Sequence, residues 1–418
     1  MACGSGPPVS EPFPREGLPL AEARRRVLAA VAPLTGEESL PLAAALGRVS
    51  AAPVVAAEAV PGFAASIMDG YAIADATPPA VGSRWTLRGR AAPGRPFAGT
   101  LAPQEAVRIL TGAPLPAGSG RVLPQELVAA EGAIRLVRAA GERTWIRPAD
   151  EECAAGAVLL EVGVRLGPAL LARLAACGVA AVRVRRRPRI GLLITGDELV
   201  PPAAPRLAGQ VWESNGTLLE ALLLRLGHPV AERRVVADDP AALRAALAGL
   251  AEGCDVLVST GGVSAGDGDW IRPLLAELGR VDFWKLFLRP GRPFAFGHLQ
   301  GRPFFGLPGN PVAAAITALQ LLGPALQALE GAEPELPPRL RVRLADRLER
   351  APGRPELARA RLEASADGAP LARVEGSQAS SRIGSLQGAD LLLEIPADAG
   401  VLEPGTELWA QLLRLPIL

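Results

Sequence analysis

From Arg189 onward, short apolar runs alternate with helical segments: RIGLLIT, GTLLEALLLRLG, VAERRVV, DPAALRAALAGLAEG, DVLVST, and a helix expected from Asp269 to Leu278. Strands separated by helices at this spacing point to a mostly parallel sheet covered on both faces, because a parallel crossover needs a helix-length return. The apolar helix PVAAAITALQLLGPALQAL after Asn310 closes the unit. A doubly wound α/β domain is therefore expected at 188–335.

One such domain does not use up the chain. At 418 residues the sequence is too long for a single hydrophobic core. Before the alternation, Leu20 to Val31 reads as a helix, a short helix stops near Gly47, and the stretch from Trp85 to Arg147 has the frequent glycine and proline turns of a small β-rich domain. Between Ala157 and Val184 a strand, a helix begun by Pro168 and ended by Gly178, and a second strand follow. RRRP at Arg185 to Pro188 reads as a solvated boundary linker. After the acidic, proline-rich GAEPELPPRL, the runs LRVRLAD, ELARARLEAS, PLARVE and ADLLLEIP suggest antiparallel strands in a small barrel or sandwich.

Charge and cysteine usage narrow the function. With 44 basic and 43 acidic residues, the net charge of +1 gives no general attraction to nucleic acid or to an anionic membrane. Cys3, Cys153, Cys177 and Cys254 form no CxxC pair, and His228 and His298 are the two histidines, so a thiolate or imidazole metal site is not expected. A hard cation on oxygen ligands remains open. No basic segment followed by an apolar core opens the chain, and charge, glycine or proline breaks every long apolar run, so no membrane partner and a cytoplasmic setting are expected.

Chemistry concentrates in polar turns at strand ends. STGGVSAGDGD follows the apolar run DVLV: Gly261 and Gly262 let backbone N–H groups approach an oxyanion, Ser264 adds a donor, and Asp267 and Asp269 can hold a magnesium ion, although Asp269 equally suits an N-cap. In TGDELV, adjacent acids point in different directions, so Glu198 is assigned to ligand or metal while Asp197 anchors the loop. WESNG offers Ser214 and Asn215 as donors or helix caps. Lys285, Arg289 and Arg292 in FWKLFLRPGRPFAFG suit a phosphorylated substrate or a metal oxyanion. GLPGNPVAA supplies Gly309 and Asn310 ahead of Pro311 as a helix start. Upstream, Asp69 in SIMDGYAI is either a turn residue or an acid aimed at a cleft.

SIMDGYA, RILTGAPLP, TGDEL, SNG, GGVSAGDGD, PGRPFAFG and GLPGNPV occur together and in order, and in this the chain resembles the molybdopterin molybdenumtransferase family, the MoeA proteins and the E domain of gephyrin. The resemblance runs from Leu20 to the C-terminus. It implies an elongated homodimer of four-part protomers: an extended mixed region from 18–51 with 150–187, an inserted β-rich domain at 52–149, the molybdopterin-binding α/β domain at 188–335, and a C-terminal β domain at 336–418. It also implies a magnesium-dependent reaction in which adenylylated molybdopterin and molybdate give molybdenum cofactor and AMP. An upstream adenylyltransferase and recipient molybdoenzymes would be partners. By the same resemblance Asp69 approaches the site from the partner protomer, Thr111 lies in another matching loop, and Glu198 and Asp267 are the main acids around the pyrophosphate.

Some positions depart from the family pattern. Arg289 and Arg292 stand where KPGKP has lysines, Ala65 where an asparagine is frequent, and Gly120–Arg121 replace an acid and its neighbour. Asp150 takes a glycine position in RPADEEC. These changes keep open two other readings, a carrier or scaffold that binds molybdopterin without inserting metal, and a relative that adenylylates the pterin. A P-loop enzyme is disfavoured by the absence of GxxxxGK[ST].

Overall fold

A computed structural model describes residues 16–263, 269–374 and 376–413. The α/β domain is built on a six-stranded sheet in the order Val230–Val236, Ile190–Thr195, Val256–Thr260, Arg302–Leu307, Ala295–Leu299, Gly279–Trp284. The first four strands run parallel and the last two are antiparallel. Ile190–Thr195 and Val256–Thr260 are buried at every residue, as strands covered on both faces must be, whereas Val230–Val236 alternates like the edge strand it is. Phe283, Phe294, Phe296 and Phe305 stack within the antiparallel half, with 5.0 Å between the Phe296 and Phe305 ring centroids.

The helix expected after Asn310 runs from Pro311 to Leu329. Its length and composition would suit a bilayer, but 83% of it is buried in this fold, so it is a core helix. It loosens to a π-turn at Ala318–Leu322, just before Pro324. Proline has no N–H to return to the carbonyl of Gln320. That carbonyl instead accepts from Arg24 Nε at 3.0 Å, and Arg24 Nη2 donates to Gln320 Oε1 at 2.7 Å. The helix Leu20–Ala30 is thereby fixed to the α/β domain, with Ala23 and Val27 in its core.

The remaining parts surround this domain. A six-stranded sheet comprises Arg121–Pro124, Gly70–Ile73, Glu105–Ile109, Arg84–Ala91, Ala133–Leu136 and Val128–Glu131. Two distant chain segments meet where Glu37–Pro41 pairs with Ala181–Arg185, beside the helix Pro168–Ala176. RRRP is not a solvated linker: Arg186 makes two bonds to Asp255, at 2.6 and 2.9 Å, and Arg187 sits half-buried in the charge field of Glu330. Glu330 is fully buried, 3.3 Å from Arg165 and 3.8 Å from His228.

The C-terminal strands close into a five-stranded barrel, Arg339–Leu344, Pro370–Arg373, Glu356–Ala364, Leu391–Ile395, Glu407–Leu412. The expectation of antiparallel pairing holds except between Arg339–Leu344 and Pro370–Arg373, which are parallel. A closed ring with an odd number of strands cannot alternate direction throughout. Gln411 on the closing strand accepts from Gln320 Nε2 at 2.6 Å and donates to Glu394 at 2.9 Å, joining barrel and core helix.

Candidate active site

The parallel strands ending at Thr195, Thr260 and Leu307 deliver their turns to one cavity of about 1020 Å³. Thr195 and Thr260 lie on either side of the point where the strand order reverses, the place where open α/β sheets form a crevice. Gly261 and Gly262 have φ of +92° and +64°, and a Cβ on Gly261 would stand 2.4 Å from the Thr195 carbonyl oxygen. Glycine is required there because the two strand-end turns are nearly in contact.

A side-chain lattice holds the turns. Asn215 Nδ2 donates to Thr260 Oγ1 at 2.8 Å and to the Gly309 carbonyl at 2.7 Å, and Thr260 Oγ1 donates to the Pro308 carbonyl at 3.0 Å. Asp197 accepts from the Asp238 backbone N–H at 2.9 Å, which fixes the loop and leaves its neighbour Glu198 exposed on the cavity wall. Asp238 in turn bonds the Thr195 hydroxyl. Ser214 is the N-cap residue of the helix Asn215–Arg225 and lines the cavity without a side-chain capping bond; Glu213 accepts from Gly216 N–H instead, at 2.6 Å.

Asp269 also lines the cavity, two residues before the helix that starts at Ile271 with Trp270 as its N-cap residue. Gly309 lines it too, and Asn310 is the N-cap residue before Pro311 at N1. Arg289 and Arg292 face the same space, whereas Lys285 is not among the lining residues. The Lys285 backbone is taken up by Leu18 and Phe294, and its Nζ lies 5.4 Å from the centre of the Trp284 ring. Ser264 and Asp267 lie outside the described residues.

The far wall was not foreseen. It consists of Arg354 and Gln378–Ser381 from the C-terminal domain. Asn310 Nδ2 donates to Ser380 Oγ at 3.0 Å, Val312 N–H to the Ser380 carbonyl at 3.1 Å, and Arg354 Nη1 to the Leu288 carbonyl at 3.1 Å. Burial, then repulsion from Arg292 and Arg289, pushes the Arg354 guanidinium below its ordinary pKa. Glu356, 3.8 Å from Arg289, offsets part of this charge, and the excess of cations favours a bound anion.

Asp69 and Thr111 lie in the β-rich domain and do not line this cavity. Asp69 Oδ1 accepts from both the N–H and the hydroxyl of Thr111, each at 2.8 Å, and these two bonds hold the carboxyl below the usual aspartate range. The pair is a preformed, ionised acid on another face of the chain.

For a cation, the described lining residues able to ligate one are carboxylate, hydroxyl, amide and backbone oxygens, which suits a hard ion. Among the described residues no group of three or more His, Cys, Asp or Glu side chains is close enough to hold a metal. Glu198 and Asp269 would need Asp267, or oxygens of a substrate, to complete a shell.

Over 340 residues, covering 81% of this chain and 84% of its counterpart, the sequence is 35% identical to the molybdopterin molybdenumtransferase of Haemophilus influenzae. The chain belongs to the molybdopterin molybdenumtransferase (MoeA) family. Molybdopterin molybdenumtransferase 2 of Mycobacterium tuberculosis is 32% identical over 400 residues, 93% of this chain and 98% of that protein. Family models match in order: the MoeA N-terminal region (domain I and II) over residues 18–178, a probable molybdopterin binding domain over 191–328, and the MoeA C-terminal region (domain IV) over 341–413. The crystal structure of a molybdopterin biosynthesis MoeA protein from Pyrococcus horikoshii superposes with a TM-score of 0.81 at 27% identity, covering 95% of this chain and all of that one. The multidomain α/β and β architecture is thus that of the MoeA proteins, and the chain has its place in molybdenum cofactor biosynthesis.

Two departures from the MoeA pattern have structural accounts. A Cβ at Gly120 would meet the Ala74 carbonyl oxygen at 2.6 Å and the Ala76 nitrogen at 2.7 Å, so this packing admits no side chain there. Arg121, 1% exposed, donates to the Gly141 and Ala76 carbonyls at 3.0 Å each and serves as internal scaffolding.

Proposed function

We propose that this chain inserts molybdenum from molybdate into adenylylated molybdopterin and releases AMP. The observation that carries the reading is the single cavity that Arg289, Arg292 and Arg354 line together with Glu198, Asp269 and the Gly261–Gly262 turn. Phosphoanhydride cleavage builds negative charge on the departing phosphate, and cations fixed in advance stabilise that charge more than the ground state. The glycine turn admits backbone N–H groups to the pyrophosphate. The dithiolene of the substrate receives the metal, so no protein thiol needs to ligate it.

Magnesium, held by Glu198, Asp267 and Asp269 together with substrate oxygens, would neutralise phosphate charge when bound. The chain's own contribution is positional: Asp197 holds the loop of Glu198, and Asn215 keeps the Thr260 and Gly309 turns in register. A homodimer is part of the proposal, with Asp69 and Thr111 supplied to the partner's cavity. A cytoplasmic setting belongs to the same reading.

The test is AMP release and cofactor formation from adenylylated molybdopterin and molybdate, with and without magnesium. Glu198→Gln and Asp267→Asn should each lower turnover on the order of 100-fold. Tight substrate binding without turnover in the wild type would instead make the chain a carrier.

A further inference from the structure

The three cysteines among the described residues are unpaired, yet two of them, distant in sequence, are neighbours: Cys153 Sγ and Cys177 Sγ lie 3.7 Å apart. Cys153 is buried in the segment that returns from the β-rich domain, where Val60 N–H donates to its carbonyl at 2.9 Å. Cys177 is partly exposed and ends the helix Pro168–Ala176. The same contact is bridged by Arg173 Nε and Glu152 Oε1 at 2.8 Å, so backbone and ion pair already hold the two thiols at this separation. Neither thiol touches the cavity, and the proposed reaction uses neither.

We propose that Cys153 and Cys177 form a two-thiol redox site that oxidises to a reversible intramolecular disulfide by exchange with a small-molecule disulfide. Closing the gap to a sulfur–sulfur bond of about 2.05 Å requires a movement of under about 2 Å. The exchange balances in two displacements. The Cys177 thiolate, the more accessible of the two, attacks the small disulfide and expels one thiolate. The Cys153 thiolate then attacks the Cys177 sulfur of the mixed disulfide and expels the second. The protein loses two electrons and two protons, and the small disulfide becomes two thiols. Burial and the neighbouring Cys153 raise the Cys177 pKa, which slows attack near neutral pH and is why mildly alkaline conditions suit the exchange.

The bond would pin the return segment to the helix at the junction from which the β-rich domain projects. Its effect would be on the mobility of the domain that carries Asp69 and Thr111, not on the cavity itself.

The test uses the full chain, equilibrated at pH 8 with oxidised and reduced glutathione at several ratios, then alkylated and mapped by mass spectrometry. Two of the four thiols should be lost together, with a Cys153–Cys177 cross-linked peptide that dithiothreitol dissolves, and the thermal midpoint of the oxidised protein should rise. Cys153→Ala and Cys177→Ser should each abolish the cross-link and the rise. Because the cross-link is read on the wild type, poor folding of a variant leaves the result intact. Four free thiols at every ratio, a glutathione adduct on Cys177 alone, or pairing with Cys3 or Cys254 would overturn the proposal.

Discussion

Asn310 Nδ2 and Ser380 Oγ, 70 positions apart in the chain, are joined by a 3.0 Å hydrogen bond that ties the α/β domain to the loop of the C-terminal domain across the cavity. Ser380→Ala removes this bond but leaves the backbone bond from Val312 N–H to the Ser380 carbonyl. A loss of about 1 kcal/mol in stability is expected. The larger effect should be on substrate KM, because the far wall loses its register. Unchanged KM by steady-state assay would show that the wall is held without this bond.

Gly261→Ala should be more damaging than its size suggests. The new Cβ would fall 2.4 Å from the Thr195 carbonyl oxygen at a φ of +92°. Displacing that backbone and straining the turn should cost about 1–3 kcal/mol, measurable by urea denaturation, and should abolish phosphate binding. Retained AMP affinity in isothermal titration would remove the turn from the anion site.

The cluster of Arg289, Arg292 and Arg354 predicts stabilisation by anions. Sulfate or AMP should raise the thermal midpoint of the wild type, since a bound anion relieves the repulsion acting on Arg354. Arg292→Gln should shrink that rise at least several-fold, with lower sensitivity to ionic strength. An equal rise in both proteins would place the anion elsewhere.

Stability should fall in acid partly through His228. Burial first, then Arg165 and Arg187, pushes its imidazole down to about 3. Between that value and the ordinary 6.5 the unfolded chain holds a proton that the native state does not, so stability is lost as pH falls through this window. From pH 6.5 to 5 the loss from this group reaches about 2 kcal/mol. Glu330, raised by burial against the pull of Arg165, Arg187 and Arg48, acts in the opposite sense, losing stability as pH rises. Denaturant melts at pH 7 and 5 should show a smaller acid loss in His228→Gln than in the wild type; equal losses would assign the effect to carboxylates.

Much of this was legible where local chemistry decides. The apolar runs at Ile190–Thr195 and Val256–Thr260 are strands because burial on both faces leaves no room for polar alternation, and Pro311 starts a helix because its fixed φ suits the first turn. That Asp197 anchors its loop while Glu198 is left on the cavity wall was also readable, since adjacent side chains on a turn diverge. What could not be read was any contact made across the fold. Arg354 and Gln378–Ser381 look like ordinary linker and loop, and only closure of the barrel brings them to the strand ends. The choice between site and cap stayed open at Ser214 and Asp269 because a cap depends on backbone geometry at one residue; Ser214 holds the N-cap position, yet Glu213 accepts the first-turn bond, with Arg233 balancing its charge. Arg186 read as solvated because its partner, Asp255, enters from the following strand crossing.

The link from Arg24 through Gln320 to Gln411 and Glu394 has a consequence for biogenesis. A ribosome makes Arg24 early, Gln320 much later, and Gln411 only after nearly every other described residue. Until the strand Glu407–Leu412 docks, the Gln320 amide nitrogen in the middle of an apolar helix gives its hydrogen bond to water, so the interior of the α/β domain is sealed only when the C-terminal barrel closes over it.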